Sequence, residues 1–295
     1  MPEVPQDAAR ERELLNETSR HYREATVRLT QALIGAISAS RQTAGLPTTG
    51  RPRHSWASVL FARLCGFGGS LMRLLPGSAA SPTSSVWDFP SSAALTRCVF
   101  ECYVVFHYLC VEKLDDDEWG LRMNVVNLHD CMERHRILGR FSEGDEELLA
   151  RNVTDLRGRI NSSKAFDGLS SMHKTRALSG RSHMYLTQDE IMERMSPPMD
   201  AQDTRGLYEF LSSATHTFPF GFYRTLEHEG RGTGRENRVE KGYMAWCADF
   251  AAQLLERAEA DMQRVFDNVP KFERMRINWD TLECSSIGDH RAPMR

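Results

Sequence analysis

The sequence predicts an all-α protein, an irregular multi-helix bundle with a long N-terminal helix and a long C-terminal helix. Apolar residues recur every three or four positions over both terminal stretches, which is the period of an amphipathic helix. A central stretch, residues 91–113, is apolar on nearly every side, so we expect a helix that is buried most of the way round. We find no convincing alternation of apolar and polar residues that would predict a strand.

Residues 10–40 are the first predicted helix. Its apolar stripe includes Tyr22, Leu29 and several alanines, and a helix of this length needs partners to be stable. A two-stranded coiled coil is a poor alternative because threonine and alanine occupy the seam. We therefore expect this helix to pack within a bundle.

Residues 56–75 are apolar except on one narrow face that carries Arg63, Ser70 and Arg73. Three interpretations are open: a core helix whose arginines reach solvent, a helix lying in a membrane surface, and a transmembrane span. A charge near the middle of a span costs roughly 2.5–3.5 kcal/mol, so we expect no transmembrane span and favour the core helix. Peripheral membrane contact through residues 56–75 is the alternative.

Residues 76–90 are rich in small residues and prolines, which is typical of a linker. We therefore predict an N-terminal helical region, residues 1–80, which can pack on a main bundle, residues 91–268, followed by a C-terminal tail, residues 269–295. Within the main bundle the later predicted elements are helices over 119–140, 142–160 (opened by a Ser142/Asp145 capping box), 187–196 (opened by a Thr187/Glu190 capping box) and 239–268, with a surface loop over 162–180.

Two polar rows interrupt helices that are otherwise apolar. Arg97 and Glu101 lie one turn apart on the central helix. Tyr208, Ser212 and His216 are spaced by four residues on a later helix, 207–217. Unpaired charges in a core are costly, so we expect the two rows to meet inside the bundle. The resulting network is either structural or a site in which His216 acts as a general acid or base and Arg97 binds an anion.

Several motifs that carry known chemistry are missing from the sequence. It has no P-loop, no GxGxxG, no HExxH and no GxSxG. His129 and Glu133 could reach one metal ion, but a single pair at this spacing arises often by chance, so we expect no metal and no cofactor. Cys98 and Cys102, also one turn apart, are expected to be core residues rather than ligands.

The charge of the chain indicates which partners it can bind, and its cysteine content indicates its compartment. The net charge of −3 gives no general affinity for nucleic acid, although residues 25–87 contain arginines and no acidic residue and could face phosphate or anionic lipid. Seven cysteines, several of them in apolar helices, suggest reduced thiols and a cytoplasmic location.

The chain resembles uncharacterised families of all-helical bacterial proteins, domains of unknown function. The residues that carry the likeness are Arg97, Glu101, Tyr208, Ser212 and His216, within residues 91–217. Such proteins are in turn similar to HEPN domains, helical modules that include RNA-cutting toxins and defence proteins with an Arg-x(4–6)-His motif. Arg122 with His129, and Arg176 with His183, have this spacing. The resemblance implies a helical fold and a nuclease activity, carried either by Arg122 and His129 or by Arg97, Glu101 and His216.

These observations leave three functions open, and they do not decide whether the protein is an enzyme. We favour an intracellular helical binding or accessory protein with an interior Arg/Glu–Ser/His polar network, whose partner is another protein or RNA. The alternatives are an HEPN-like RNA-cleaving toxin or defence protein and a membrane-surface-associated helical protein.

Overall fold

The computed structural model describes residues 6–44, 52–138, 146–216, 218–224, 227 and 230–267. Within these residues the chain forms eleven α-helices and no strand, so the predicted all-α fold with a long helix near each end is confirmed. The helices are α1 (Gln6–Thr43), α2 (Pro52–Leu74), α3 (Phe89–Phe106), α4 (Asp116–Leu138), α5 (Glu146–Asn161), α6 (Lys164–Asp167), α7 (Ser171–Ser179), α8 (Gln188–Glu193), α9 (Ala201–Thr215), α10 (Pro219–Tyr223) and α11 (Arg238–Phe266).

The two long helices, α1 and α11, run parallel and lie against each other along most of their length. Buried alanines on both helices, including Ala32 and Ala258, leave little side-chain volume between them, so the two backbones can approach closely. Arg28 and Glu256 form an ion pair at the exposed edge of this contact, with 2.7 Å between Nη2 and Oε2. Buried residues of α1 and α2 belong to the same apolar core as those of α3 and α11.

The central helix α3 packs on α2, α9 and α11. Its fully buried residues include Val99, Phe100 and Phe106, and the helix continues as one π-helical turn over His107–Val111. Asp88, whose carboxylate accepts from the Ser91 amide at 3.1 Å, caps the start of α3. The expectation of a helix that is buried most of the way round is therefore confirmed.

Helix α2 also belongs to the core. Phe61, Leu64 and Leu71 are buried, whereas Arg63 and Arg73 are exposed, as in a core helix whose arginines reach solvent. Among the described helices, only the segment Phe89–Val111 is long and apolar enough to cross a membrane, and most of it is buried inside the bundle. A core helix passes the same test of length and composition, so this segment is weak evidence for a span.

Residues 162–180 differ from their prediction as a surface loop. They contain α6 and α7, and α7 begins where the Ser170 hydroxyl accepts from the His173 amide and ends at Gly180 in the left-handed conformation. The Thr187/Glu190 capping box is present at α8 as predicted. The Ser142/Asp145 capping box and the tail over 269–295 lie outside the described residues.

Candidate functional site

Helices α3 and α9 bring four predicted site residues into one hydrogen-bonded group, which we call the Arg97 cluster: Arg97, Glu101, Tyr208 and His216. Arg97 Nη2 donates to Glu101 Oε1 and to the Tyr208 hydroxyl, both at 2.8 Å. The Tyr208 hydroxyl donates to the same Glu101 oxygen at 2.9 Å. Arg97 Nη1 lies 2.8 Å from His216 Nε2. The predicted meeting of the two polar rows is thus observed for these four side chains.

The chemistry of arginine decides the proton positions at His216. A guanidinium only donates, so at 2.8 Å from Arg97 Nη1 the Nε2 of His216 accepts, and the proton of this neutral imidazole lies on Nδ1. The guanidinium also lies over the Tyr208 ring, 4.8 Å from its centroid. Burial of the Tyr208 hydroxyl raises its pKa. Glu101 raises this pKa further and Arg97 lowers it, but the net effect is a raised pKa, so this hydroxyl stays protonated.

The prediction that this network lies in the interior is wrong. The Glu101 side chain is 42% exposed, and His216 is exposed at the C-terminal end of α9. In the described hydrogen bonds Ser212 takes part through its carbonyl, which accepts from the His216 amide, and its hydroxyl does not join the cluster. Arg97, rather than Glu101, contacts the imidazole, so Glu101 does not orient His216 directly. The cluster opens to solvent.

Aromatic side chains continue the surface beyond His216. The Phe218 ring lies 5.5 Å from the His216 ring, and Phe218, Phe220, Phe222 and Tyr223 are all exposed, Phe220 by 55%. We call these four residues the α10 aromatic surface. Between them, Gly221 faces α9 so closely that a Cβ atom there would collide with the Ser213 carbonyl. The short helix therefore packs its glycine inward and its rings outward.

Sequence reasoning did not identify the α10 aromatic surface. Its signal is the run FPFGFY over residues 218–223, with four aromatic residues in six positions. A run this short does not reveal a helical period. A proline just after the predicted helix 207–217 fits the end of that helix as well as the start of a new one, which is where the structure has Pro219.

Arg122 does not occupy a site, in contrast to the prediction for a nuclease motif. Its side chain is only 1% exposed, and it donates to Glu112 at 2.6 Å, to Glu118 at 2.8 Å and to the Tyr108 carbonyl at 2.6 Å. The Tyr185 hydroxyl also donates to Glu118. A guanidinium that is sealed and paired in this way cannot touch a substrate, and Arg122 holds α4 to the end of α3 instead.

The two histidines of the Arg-x6-His motifs lie together although their arginines do not join them. The rings of His129 and His183 have centroids 5.5 Å apart, and His129 Nδ1 lies 3.0 Å from the Gly180 carbonyl. Burial, together with the neighbouring His129, lowers the pKa of His183, while Glu101 acts in the opposite direction. Arg176 donates to the Leu186 carbonyl at 3.3 Å.

The described residues contain no group of three or more histidine, cysteine, aspartate or glutamate side chains that could hold a metal ion. Glu133, weighed as a partner for His129, pairs with Arg136 at 2.6 Å. Cys102 is buried and Cys98 is half-buried, and both are free thiols.

Comparison with protein families places most of the chain in a family. The model of a family of unknown function, DUF5677, matches residues 49–233, which is more than half of the 295-residue chain and includes the Arg97 cluster and the α10 aromatic surface. The comparisons do not show the resemblance to HEPN domains. Neither the curated proteins nor the solved structures contain a significant match to this chain.

Proposed function

The chain belongs to the DUF5677 family of unknown function, and we propose that it is a binding module that recognises another protein through the Arg97 cluster and the α10 aromatic surface. The observation that carries this proposal is the exposed aromatic side chains of the Phe218–Tyr223 segment beside His216, which is also exposed and lies 2.8 Å from Arg97 Nη1. Aromatic residues and arginine are the residue types that dominate the binding energy of protein interfaces. Exposed apolar rings grouped on one surface are typical of such interaction sites.

Charge favours a protein partner over RNA. Binding of RNA draws on an excess of positive charge, whereas this chain has a net charge of −3 and Glu101 neutralises Arg97 within the cluster. On the aromatic surface, Arg224 lies over the Phe220 ring at 5.3 Å, but it also pairs with Glu227 at 2.8 Å. The local charge is therefore balanced, as at the polar rim of a protein interface.

The geometry also indicates which side chain of the partner the cluster accepts. Arg97 Nη2 is occupied by Glu101 and Tyr208, whereas Nη1 contacts only His216 among the described residues. A carboxylate that approaches from solvent would meet Nη1 beside the exposed imidazole. We therefore expect the partner to present an acidic side chain to Arg97 and apolar side chains to the rings.

Photo-crosslinking tests this function. A photoreactive phenylalanine analogue replaces Phe220 in the full chain, and in a matched control it replaces Ile34, which is 63% exposed on α1. We expect a discrete protein adduct from position 220 in native cells and none of the same mass from position 34. Arg97→Gln should reduce the yield of that adduct about tenfold, since it removes a charge-assisted hydrogen bond at the interface.

The melting temperature separates binding from folding in this experiment. Arg97→Gln should shift it only slightly, because the ion pair with Glu101 is partly exposed. Identical adducts at both positions, or an adduct at 220 whose yield does not depend on Arg97, would contradict the proposed function.

A second candidate, cleavage of RNA, is favoured by one observation, the 5.5 Å separation of the His129 and His183 rings. One imidazole could accept the proton of a 2′-hydroxyl while the other donates to the leaving oxygen. If this is the activity, His129→Gln and His183→Gln each abolish cleavage of a single-stranded RNA, while the exposed His135→Gln does not. No cleavage by the unaltered chain, or equal cleavage by all variants, would remove this candidate.

We also propose a cytoplasmic location. The six cysteines of the described residues, Cys65, Cys98, Cys102, Cys110, Cys131 and Cys247, are free thiols, which supports a reducing compartment. Fractionation of native cells, with the chain followed by a specific antibody, tests this location.

A further inference from the structure

A cavity that is lined by none of the residues of the Arg97 cluster or the α10 aromatic surface lies where α1 meets the segments that precede α3 and α11. Its volume is about 620 Å³, within the range of small-molecule sites. The lining includes three serines, three cationic side chains and one carboxylate: Ser19, Ser84, Ser85, Arg23, Arg235, Lys241 and Glu236.

Lys241 is the most unusual group in this cavity. Its side chain is only 9% exposed, and lysine is rarely buried without a specific partner. Nζ donates to Ser19 Oγ at 3.0 Å and to Glu236, and it lies 5.2 Å from the centroid of the Trp87 ring. The lysine is therefore held in a fixed position at the wall of the cavity.

The carboxylate that pairs with Lys241 differs from the lysine in its freedom to move. Glu236 is 57% exposed and belongs to the segment before α11 rather than to a helix. Long exposed side chains gain rotamer freedom when they leave an ion pair, so an anion in the cavity can replace Glu236 at modest cost. Without Glu236 the lining carries three positive charges and no negative one.

Two hydrogen bonds to backbone carbonyls order the walls of the cavity. The Trp87 amide donates to the Gly234 carbonyl at 2.9 Å, which joins the segment before α3 to the segment before α11. The Tyr22 hydroxyl donates to the Pro76 carbonyl at 2.9 Å, which joins α1 to the segment after α2. The backbone segments that carry the lining residues are therefore held in place before any ligand arrives.

We propose that this cavity binds a small phosphate monoester, whose phosphate replaces the Glu236 carboxylate at Lys241 and is also held by Arg23 and Arg235. A phosphate monoester carries about −1.5 to −2 charges at pH 7, which matches the excess of positive charge in the lining. Its oxygens accept hydrogen bonds from guanidinium, ammonium and serine hydroxyl groups, all of which are present here. The cavity has room for the organic part of the ester beyond the phosphate.

Isothermal titration calorimetry of the full chain with glycerol 3-phosphate, and separately with inorganic phosphate, tests this proposal, with glycerol as the uncharged control. We expect saturable binding of the two phosphates and none of glycerol. Arg235→Gln should weaken binding about tenfold because it removes one charge-assisted hydrogen bond. Arg20→Gln is the matched control on α1, since Arg20 does not line this cavity, and it should leave the affinity unchanged.

Glu236→Gln separates a ligand site from a purely structural ion pair. If the carboxylate competes with the ligand, this variant should bind glycerol 3-phosphate about tenfold more tightly. An unchanged or weaker affinity of Glu236→Gln, equal losses in Arg20→Gln and Arg235→Gln, or no saturable binding of either phosphate would overturn the proposal. Binding to vesicles that contain phosphatidic acid, without binding of soluble phosphates, would overturn it as well, because the site would then recognise a membrane.

Discussion

Replacing Arg122 by methionine should destabilise the protein more than the loss of any exposed ion pair. Methionine keeps most of the length of the side chain, so the change removes charge and hydrogen bonds rather than volume. In the native structure the guanidinium satisfies Glu112, Glu118 and the Tyr108 carbonyl, and it lies 4.1 Å from the centroid of the Tyr108 ring.

The magnitude follows from what remains after the substitution. Glu112 and Glu118 are only 17% and 20% exposed, so both carboxylates would stay largely out of water. Glu112 would keep Arg194, whose Nη1 lies 3.2 Å away, and Glu118 would keep the Tyr185 hydroxyl. Removal of one partner from a buried pair costs about 3–5 kcal/mol, and we expect the free energy of unfolding to fall by that amount.

Urea unfolding followed by circular dichroism measures this loss, and Arg159→Met is the matched control. Arg159 pairs with Asp155 at 2.7 Å, but the two side chains are 62% and 58% exposed, so the control should lose at most about 0.5 kcal/mol. If Arg122→Met loses no more than Arg159→Met, the buried network does not stabilise the fold and the reasoning is refuted. A triple variant that also carries Glu112→Gln and Glu118→Gln should recover much of the loss, because no buried charge is then left unpaired.

The remaining predictions concern acid stability, one glycine and one buried tyrosine. Burial alone would raise the pKa of Glu112, but the hydrogen bond and charge of Arg122 outweigh burial and lower it. The stabilising contribution of Glu112 is therefore present above about pH 4.3 and is lost as the pH falls through the lower pKa of the folded state. When the melting temperature is followed during acid titration, Arg122→Met should show a smaller loss below about pH 4.3 than the unaltered chain. Gly180→Ala should cost about 1–2 kcal/mol in urea unfolding, since Gly180 has φ of 66° and a Cβ there would collide with Met132, whereas Gly120→Ala, in open space on α4, should not destabilise. Tyr103→Phe should cost about 1–3 kcal/mol by the same assay, because it removes the 2.8 Å hydrogen bond to a buried Asp261 carboxylate; a loss below about 0.5 kcal/mol would show that the carboxylate is satisfied without it.

The helices could be predicted from the sequence because local signals fix them. The apolar period of α1, α4 and α11 and the capping box at Thr187 each act within a few residues, so they appear in the sequence before any tertiary contact is known. Residues 162–180 were misassigned for the complementary reason. Helices as short as α6 and α7 have too few turns to display a period, and packing on neighbouring helices rather than propensity holds them in place.

The pairing of Arg97 with His216 could be predicted because each helix carries a single polar row and two such rows satisfy each other. The sequence did not show whether these polar rows lie at the surface of the bundle or in its interior. α9 ends at Thr215, so His216 lies at the end of the helix rather than between helices. None of the helices that the structure describes covers Glu101, which stays 42% exposed. The same polar pattern therefore fits a sealed network or an open one.

Burial also distinguishes the two arginines that the sequence offered as site residues. Both Arg97 and Arg122 lie on helices, pair with a carboxylate four residues away and contact a tyrosine ring. Arg122 is sealed by two carboxylates and a carbonyl, so its charge has no capacity left for a ligand, whereas Arg97 shares one carboxylate and meets solvent beside the exposed rings of Phe218 and Phe220. If this difference determines function, Arg97→Gln lowers the yield of the crosslink at Phe220 while stability changes little, and Arg122→Met lowers stability first. The opposite result for the two variants would reverse the assignment, with Arg122 close to the partner and Arg97 holding the fold.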